Sequence, residues 1–409
     1  MRLRLAAVTA LLACGARGSS PPPVSAPAPQ RGFAPVVDYL RSQVDSAFPG
    51  GVVAVGLRDS VVLLAAVGHY GANDPRPVTP ETIYDLASLT KVNALTTECI
   101  LLVDQGKLNL DAPVQRYLPE FRGPMKDQVT IRHLLTHSAG LAADLPLFDS
   151  TRTREAALRM VDTSPLLSPP GTLFVYSDLS AIVLMQVVER ITGRPFDQVL
   201  ADDVFGPLGM TATRFVPPKS WDDRIAPTEV DTFFRHRLLI GEVHDESAWR
   251  LGGVSGNAGL FSNAPDLSRF AAWLLDARAG RLTPGRRPGV NGEARTNPGE
   301  NSVTPGRRPG VGAQTIQPFT ARQDLPPGSS RALGWDTPSP PSSAGSAPPM
   351  DAFGHTGYTG TSIWFYPSQD MFVILLSNHV NPTRTNIKIL RVRPRVADYA
   401  QAALTRPDL

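Results

Sequence analysis

Short apolar runs rich in β-branched residues predict strands at both ends of the folding part of the chain. Residues 52–57 and 61–67 form two such runs around a polar turn, so they predict a hairpin. Residues 360–366 and 371–377 repeat the pattern near the C-terminus and predict a second hairpin. The chain therefore supplies sheet strands early and late.

Helical spacing of apolar residues dominates the region between the two hairpins. A helix starting at Ser88 and stopping at Gly106 is predicted, because apolar residues recur on one face at Val92, Leu95, Cys99, Leu102 and Val103. Further helices are predicted at residues 33–48, 131–136, 152–161, 179–192, 266–279 and 386–404. Strands at both ends with helices between them predict an α/β (α+β) fold interrupted by a mostly helical insertion.

The pattern divides the chain into segments. Residues 31–106 and 351–409 form the predicted α/β part, and residues 107–280 form the helical part. Residues 281–350 are predicted to be a surface insertion with little order, because TPGRRPGV at 283–290 recurs at 304–311 and a Pro/Ser-rich patch follows at 337–349. Two copies are too few for a solenoid, and a basic recognition loop is the alternative.

The N-terminus has the pattern of an export signal. Arg2 and Arg4 precede a short apolar run that is too short to span a bilayer, so residues 1–13 predict a signal peptide. The run ends in Leu-Leu-Ala-Cys14, similar to a lipoprotein cleavage box, which predicts lipidation of Cys14; an ordinary signal peptide is the alternative. Residues 14–30 predict a Pro/Ser-rich tether. We therefore expect an exported, periplasmic or cell-envelope protein whose membrane contact is a lipid anchor.

Composition and motifs argue against nucleic-acid binding and against a bound cofactor or metal. The chain of 409 residues is 42% hydrophobic and nearly charge-balanced, with 40 Lys and Arg against 37 Asp and Glu and a formal charge of +3. No basic stripe of the kind that binds nucleic acid is present. The sequence contains neither a phosphate-binding loop nor a dinucleotide fingerprint, so no cofactor is expected. His133 and His137 have metal-ligand spacing but no obvious third ligand, so no metal is expected.

The strongest local motif for chemistry is Ser88-Leu-Thr-Lys91. Residues three apart share one face of a helix, so the lysine amine can reach the serine hydroxyl. A serine is a weak nucleophile without a neighbouring base, and a helix N-terminus adds partial positive charge near an attacked carbonyl. The motif predicts an activated serine, although S-x-x-K alone also arises by chance.

Three later segments give the motif its context. Tyr176-Ser-Asp178 precedes a predicted helix, and a tyrosine relays protons when a neighbouring ammonium stabilises its anion. His355-Thr356-Gly357-Tyr358 leads into a late strand, where the backbone N–H groups of Tyr358 and Ser88 could pair as an oxyanion hole. Residues 252–262 contain four glycines within eight positions and predict a tight turn lining a cleft.

The motifs follow one another in the order S-x-x-K, Y-S-D and H-T-G, the last before a late hairpin. In this order of motifs, the sequence resembles the serine β-lactamase and penicillin-binding-protein superfamily. It is most similar to class C β-lactamases, their esterase relatives and D-Ala-D-Ala carboxypeptidases. Residues 84–88, 133–140, 259–262 and 333–335 strengthen the resemblance, which covers about residues 33–400 apart from the insertion. It implies a β-lactamase/transpeptidase-like fold with an antiparallel sheet flanked by helices.

The resemblance also implies roles. Ser88 would be the acylated nucleophile, Lys91 and Tyr176 the proton-transfer pair, and the backbone N–H groups of Ser88 and Tyr358 the oxyanion hole. His355, with Thr356 and Gly357 beside it, would take the place of a lysine that helps to bind the substrate carboxylate.

Two departures from the family pattern bear on the substrate. Asp178 stands where an asparagine usually contacts the substrate amide, and an aspartate cannot donate that hydrogen bond, although it could hold Lys91 protonated. His355 is a weaker carboxylate partner than lysine. We therefore expect a serine hydrolase acting on a small ester, a D-alanyl amide or a peptidoglycan fragment. A true β-lactamase and a non-catalytic binding protein of the same fold are the alternatives.

Overall fold

The structure is a computed structural model that describes residues 31–58, 60–282 and 309–404. The predicted signal peptide, Cys14 and the tether lie outside the described residues, as does all of the TPGRRPGV pair except Pro309–Val311. In the part of the chain that is described, no helix is long and apolar enough to cross a membrane.

The described residues alternate between short strands and helices. The strands are β1 (Gly50–Leu57), β2 (Ser60–Gly71), β3 (Asp74–Pro77), β4 (Tyr84–Asp85), β5 (Arg214–Phe215), β6 (Val230–Asp231), β7 (Arg237–Leu238), β8 (Leu260–Ser262), β9 (Phe353–Thr356), β10 (Ser362–Tyr366) and β11 (Met371–Ser377). The α-helices are α1 (Ala34–Gln43), α2 (Thr97–Asp104), α3 (Ile131–Leu135), α4 (Leu147–Ser150), α5 (Arg154–Thr163), α6 (Asp178–Thr192), α7 (Phe196–Leu200), α8 (Glu246–Arg250), α9 (Ala264–Arg278), α10 (Ala313–Thr320) and α11 (Ile389–Leu404).

A six-stranded antiparallel sheet joins the two ends of the chain. Its strand order is β3-β2-β1-β11-β10-β9. Both predicted hairpins are confirmed, and the pairing of β1 with β11 places Gly51 opposite Ser377 and Leu57 opposite Met371. The sheet is therefore completed only when the last strands of the domain meet the first.

Both faces of the sheet are covered, because its side chains alternate between two apolar clusters. Val53, Val55 and Leu375 point into a cluster shared with α1 and α11. Val52, Ala54 and Ile374 point into a larger cluster, which includes the helical part of the chain and α9. The predicted antiparallel sheet flanked by helices is thus the observed architecture.

The helical part carries a second, smaller sheet that leads to Ser88. This sheet has the order β4-β8-β5, with Tyr84 opposite Ser262 and Asp85 opposite Phe261. The predicted helix after Ser88 runs from Leu89 to Asp104, with a π-helical turn at Lys91–Thr96 before α2, and Gly106 ends it at a φ of 70°. Cys99 is a buried core residue of this helix.

Several predicted bounds differ from the structure. The first helix ends at Gln43 rather than continuing to residue 48, because the chain turns there and Phe48 packs under the sheet. The closing helix starts at Ile389 instead of residue 386. Strand β9 was not predicted, since its Phe-Gly-His-Thr sequence has neither β-branched repetition nor alternation. It matters for function because it contains His355 and Thr356.

The prediction of a low-order insertion at 281–350 is wrong for residues 309–350. Helix α10 occupies Ala313–Thr320, and Phe319, Leu333 and Trp335 are fully buried in the larger core cluster. Even the Pro/Ser-rich patch is anchored, because the Ala344 carbonyl accepts a hydrogen bond from Tyr366 Oη at 2.8 Å. The sequence pattern does not predict these buried contacts, because the segment is rich in proline and serine and its apolar residues follow neither a helical nor a strand period.

Candidate active site

Ser88 lies in a tight turn between β4 and the buried helix. Asp85, at the end of β4, accepts a hydrogen bond from the Ala87 N–H at 2.8 Å, and Ala87 adopts a left-handed φ of 46°. A non-glycine residue in that region is held there by its surroundings. The turn leaves Ser88 half-buried at the start of the helix, on the wall of a cleft.

Lys91 is the buried neighbour of the Ser88 hydroxyl. Its Nζ donates to Ser88 Oγ at 3.2 Å and to the Asn257 carbonyl oxygen at 3.0 Å. The same Nζ lies 2.6 Å from Oδ1 of Asp178. The predicted one-turn spacing thus brings the amine to the hydroxyl. Asn257 and Asp178, which are distant in the sequence, complete the surroundings of the amine.

The surroundings of Lys91 favour its charged form. Burial alone would lower its pKa, but the carboxylate of Asp178 and then Tyr176 more than reverse that effect and raise the pKa above its usual value. Lys91 is therefore an ammonium at neutral pH. In this state it donates hydrogen bonds and cannot itself take the proton of Ser88.

Tyr176 precedes α6 and lies beside the ammonium of Lys91 and the ring of His137. Lys91 Nζ lies 5.0 Å from its ring centroid, and the His137 ring lies 4.6 Å away. The backbone is fixed next to it, because Ser177 caps α6 by accepting the Ser180 N–H at 3.3 Å. The structure thus brings Tyr176 to the Ser88–Lys91 pair, as the sequence predicts.

Asp178, the first residue of α6, was predicted to contact substrate. In the structure its carboxylate pairs with Lys91 instead, which agrees with the expectation that an aspartate here could hold the lysine protonated.

His355 lies in β9 beside Tyr176, with 5.9 Å between their ring centroids. Its Nδ1 donates to the Thr356 carbonyl at 2.8 Å, so in the neutral ring Nε2 is an acceptor. That atom is buried and has no hydrogen-bond partner in the described part of the chain. Burial, followed by the charges of Arg331 and Lys91, lowers the pKa of His355 well below its ordinary value. An uncharged ring provides no ion pair for a substrate carboxylate.

Two backbone donors line the cleft where an oxyanion would form. Within the described residues, neither the Ser88 nor the Tyr358 N–H donates a hydrogen bond to the protein, and both residues line the same cleft. Gly357 permits this approach, since a Cβ on it would lie 2.4 Å from the Leu86 carbonyl oxygen. The predicted pairing of these N–H groups is sterically feasible.

Two threonines join the segments that carry these donors. Thr359 Oγ1 donates to the Asp85 carbonyl at 2.7 Å, and Thr361 Oγ1 donates to the Leu86 carbonyl at 3.0 Å. Sequence reasoning missed both, because a threonine pair in a loop has no local signature of a long-range contact.

The glycine-rich turn at 252–262 brings Asn257 to the site, a residue that sequence reasoning did not single out. Besides accepting from Lys91, Asn257 donates from Nδ2 to Asp245 at 3.1 Å. Asp245 is buried, and burial together with the charge of Asp178 raises its pKa. The predicted role of the turn in lining the site is consistent with these contacts.

The cleft beside Ser88 has a volume of about 450 Å³. Three arginines line it, and exposed Ile387 and Leu390 lie at its rim. Arg384 is neutralised by Glu229 and Glu246, whereas Arg331 and Arg393 form no ion pair within the described residues.

The two histidines at metal-ligand spacing have structural partners. His133 completes the cap of α3 with Thr130, and His137 Nδ1 accepts the Ser177 N–H at 3.1 Å. Across residues 31–58, 60–282 and 309–404, no group of three or more His, Cys, Asp or Glu side chains could hold a metal ion.

An antiparallel sheet closed by its terminal hairpins, with Ser and Lys one turn apart at a helix start, defines the class of serine β-lactamases and penicillin-binding proteins. The chain belongs to the Beta-lactamase family, whose sequence model matches residues 36–396. This match confirms the resemblance to the superfamily.

Named relatives and solved structures are consistent with this family. Proteins of Salmonella agona (strain SL483) and Salmonella typhi, named "Putative D-alanyl-D-alanine carboxypeptidase", are each 28% identical over 389 residues, covering 86% of this chain and 83% of the relative. A penicillin-binding-protein homologue from Caulobacter crescentus shares the fold with a TM-score of 0.69 at 22% identity, covering 91% of this chain and 98% of that one. EstCE1, described as a hydrolase with promiscuous acyltransferase activity, has a TM-score of 0.67 at 22% identity, with 91% and 99% covered.

Proposed function

We propose that this chain is a serine hydrolase that forms an acyl-enzyme on Ser88 and acts on an ester or a D-alanyl amide. The observation that carries the proposal is the 3.2 Å contact between Lys91 Nζ and Ser88 Oγ, on a cleft that Tyr358 also lines. A serine beside a buried cation and free backbone donors is arranged for attack on a carbonyl.

In the acylation step, Ser88 Oγ bonds to the substrate carbonyl carbon while the carbonyl oxygen becomes an oxyanion. The N–H groups of Ser88 and Tyr358 stabilise that oxyanion. Because Lys91 is already an ammonium, the proton of Ser88 goes to Tyr176 as its phenolate. When the carbonyl re-forms, the bond to the leaving group breaks, and Tyr176 returns the proton to the departing alcohol or amine.

Deacylation repeats these steps with water. Tyr176 takes a proton from a water molecule, whose oxygen attacks the acyl carbon of the ester on Ser88. Collapse of the second oxyanion releases the acid, and Ser88 regains its proton from Tyr176. Lys91 stays protonated throughout, stabilising negative charge on Ser88 Oγ and on the phenolate.

The charges around the site favour substrates without a carboxylate, such as neutral esters, over substrates that carry one, such as β-lactams and D-alanyl-D-alanine peptides. Asp178 offers a carboxylate paired with Lys91 rather than an amide donor, and His355 is uncharged. The carboxypeptidase names of the Salmonella relatives support the D-alanyl amide as the other substrate class.

The test is covalent labelling with an uncharged fluorophosphonate, read by intact mass and peptide mapping, with Ser88→Ala as the control. We expect one adduct on the peptide containing Ser88 and none in the variant. Hydrolysis of p-nitrophenyl esters, D-alanyl-D-alanine peptides and a chromogenic cephalosporin then ranks the substrates. No adduct on folded wild-type protein would favour a non-catalytic binding protein instead.

We also infer from the N-terminal sequence that the protein is exported and lipidated at Cys14. Metabolic labelling with a tagged fatty acid should mark the wild-type protein and leave Cys14→Ser unlabelled. Labelling of that variant, or an unprocessed N-terminus in the wild-type protein, would contradict this inference.

A further inference from the structure

Arg331 reaches the active site from the segment that the sequence pattern predicts to have little order. Its Cζ lies 5.2 Å from the centroid of the Tyr176 ring and 5.4 Å from that of Phe174. The side chain is buried, with Arg331 only 8% exposed, and within the described residues its Nη1 has no hydrogen-bond partner. Burying a guanidinium with an unsatisfied donor against two aromatic faces costs free energy, which suggests that its charge has a function.

Arg331 is also a cation next to Tyr176 that forms no ion pair within the described residues. Lys91 lies 5.0 Å from the ring centroid, but its charge is offset by Asp178 at 2.6 Å. His137, which accepts the Ser177 N–H through Nδ1, and His355, which donates from Nδ1, are both neutral rings. Lys91 is therefore a cation beside the ring whose charge Asp178 partly offsets, and the two histidine rings add no charge.

The other two arginines of the cleft are engaged elsewhere. Arg384 pairs with Glu229 at 2.7 Å and Glu246 at 2.9 Å. Arg393 donates to the Gly357 carbonyl at 2.5 Å. Neither forms a cation–π contact with Tyr176 among the described residues. Of the three arginines that line the cleft, Arg331 is the one that contacts that ring within the described residues.

We infer that Arg331 is a positioning residue for proton transfer, whose guanidinium stabilises the negative charge that Tyr176 carries as the acceptor of the Ser88 proton. A cation over an aromatic face binds more strongly when the ring bears a negative charge. The inference rests on the proposed function and deepens it, because it assigns a second cation, besides Lys91, that stabilises deprotonated Tyr176 as the base.

The experiment measures the second-order rate of Ser88 labelling by the uncharged fluorophosphonate from pH 5 to 9, together with hydrolysis of a neutral p-nitrophenyl ester. Arg331→Gln should label about tenfold more slowly at neutral pH, and the acidic limb of its profile should move to higher pH. Arg331→Lys keeps a cation and should restore part of the rate. Arg322→Gln is the matched control, because Arg322 lies in the same segment and, within the described residues, its side chain donates to Thr337 Oγ1 and the Pro338 carbonyl, away from Tyr176.

Phe174→Leu gives a second, independent variant. Phe174 is 43% exposed, so its substitution should leave the fold intact while loosening Arg331. The acidic limb should move in the same direction as in Arg331→Gln, by less. Thermal unfolding of each variant establishes that it is folded.

Unchanged labelling and an unmoved acidic limb in folded Arg331→Gln and Phe174→Leu would overturn the inference while leaving the proposed function standing. A defect confined to carboxylate-bearing substrates, with neutral ester hydrolysis intact, would also overturn it, since Arg331 would then be a substrate contact. Failure of the wild-type protein to label at any pH would instead remove the proposed function and the inference with it.

Discussion

The Nζ atom of Lys91 lies 2.6 Å from Oδ1 of Asp178, and Lys91 is buried there with 3% exposure. The two residues belong to different helical segments, and their contact joins the helix after Ser88 to the start of α6. A buried ammonium left without its carboxylate would tend to lose its proton. The pair therefore sets the charge state of the group closest to Ser88 Oγ.

Asp178→Asn should move the basic limb of the kcat/KM profile to lower pH, by about 1–3 pH units. Asp178 raises the pKa of Lys91, so its removal lowers that pKa and the ammonium is lost at a lower pH. The profile should be measured with a neutral ester. If the neutral amine of Lys91 were the base, Asp178→Asn would become more active at neutral pH, contrary to this prediction.

Thr359→Val and Thr361→Val should each lower kcat by about tenfold with little change in KM. Each substitution removes a buried hydrogen bond that ties the Tyr358 segment to the chain before Ser88, so the two oxyanion donors lose their alignment. Steady-state kinetics on an ester tests this, with Thr359→Ser and Thr361→Ser as controls that retain the hydroxyl. Equal kcat in the valine and serine variants would show that these bonds do not align the donors.

Trp335→Ala should destabilise the domain by about 3–5 kcal/mol. Trp335 is fully buried, and its ring packs edge-on against Phe353 at 5.2 Å and Phe365 at 5.5 Å. Urea unfolding measures the loss, and Trp335→Phe, which keeps an aromatic ring, should cost less. A loss below about 1 kcal/mol would contradict the packing of residues 309–350 into the core.

In the wild-type protein, ionisation of Glu98 should lower the free energy of unfolding as the pH rises. Glu98→Gln should abolish this loss. Glu98 is buried, its Oε2 has no hydrogen-bond partner among the residues that the structure describes, and burial raises the pKa of Glu98 to about 8. Between its ordinary pKa near 4.5 and about 8, the folded state binds more protons than the unfolded state, so the free energy of unfolding falls with increasing pH.

Melting temperatures of wild type and Glu98→Gln from pH 5 to 8 isolate this effect. The variant should gain stability relative to wild type as the pH increases. Parallel curves would mean that Glu98 ionises without cost to the fold. Lys107→Gln, which removes a charge that favours ionised Glu98, should steepen the wild-type dependence.

Local sequence pattern accounts for much of the fold. The apolar, β-branched-rich runs at residues 52–57 and 371–377 identify strands buried on both faces, and the period of 3.6 after Ser88 identifies a buried helix. The three-residue spacing of Ser88 and Lys91 likewise places the amine beside the hydroxyl. These features depend on neighbours within a few residues.

The site as a whole depends on contacts that local pattern does not encode. Lys91 meets Asn257 across 166 positions, Thr361 meets Leu86 across 275, and Arg331 meets Tyr176 from a proline-rich segment. The burial of Trp335 also cannot be deduced from a periodic pattern, because Trp335 lies outside the helices and strands. The sequence by itself determined the two hairpins, the helix after Ser88 and the Ser88–Lys91 pair, since helix and strand geometry fixes such spacings. Only the tertiary structure decided which charges surround Tyr176, because packing of distant segments sets the distances on which electrostatic energy depends.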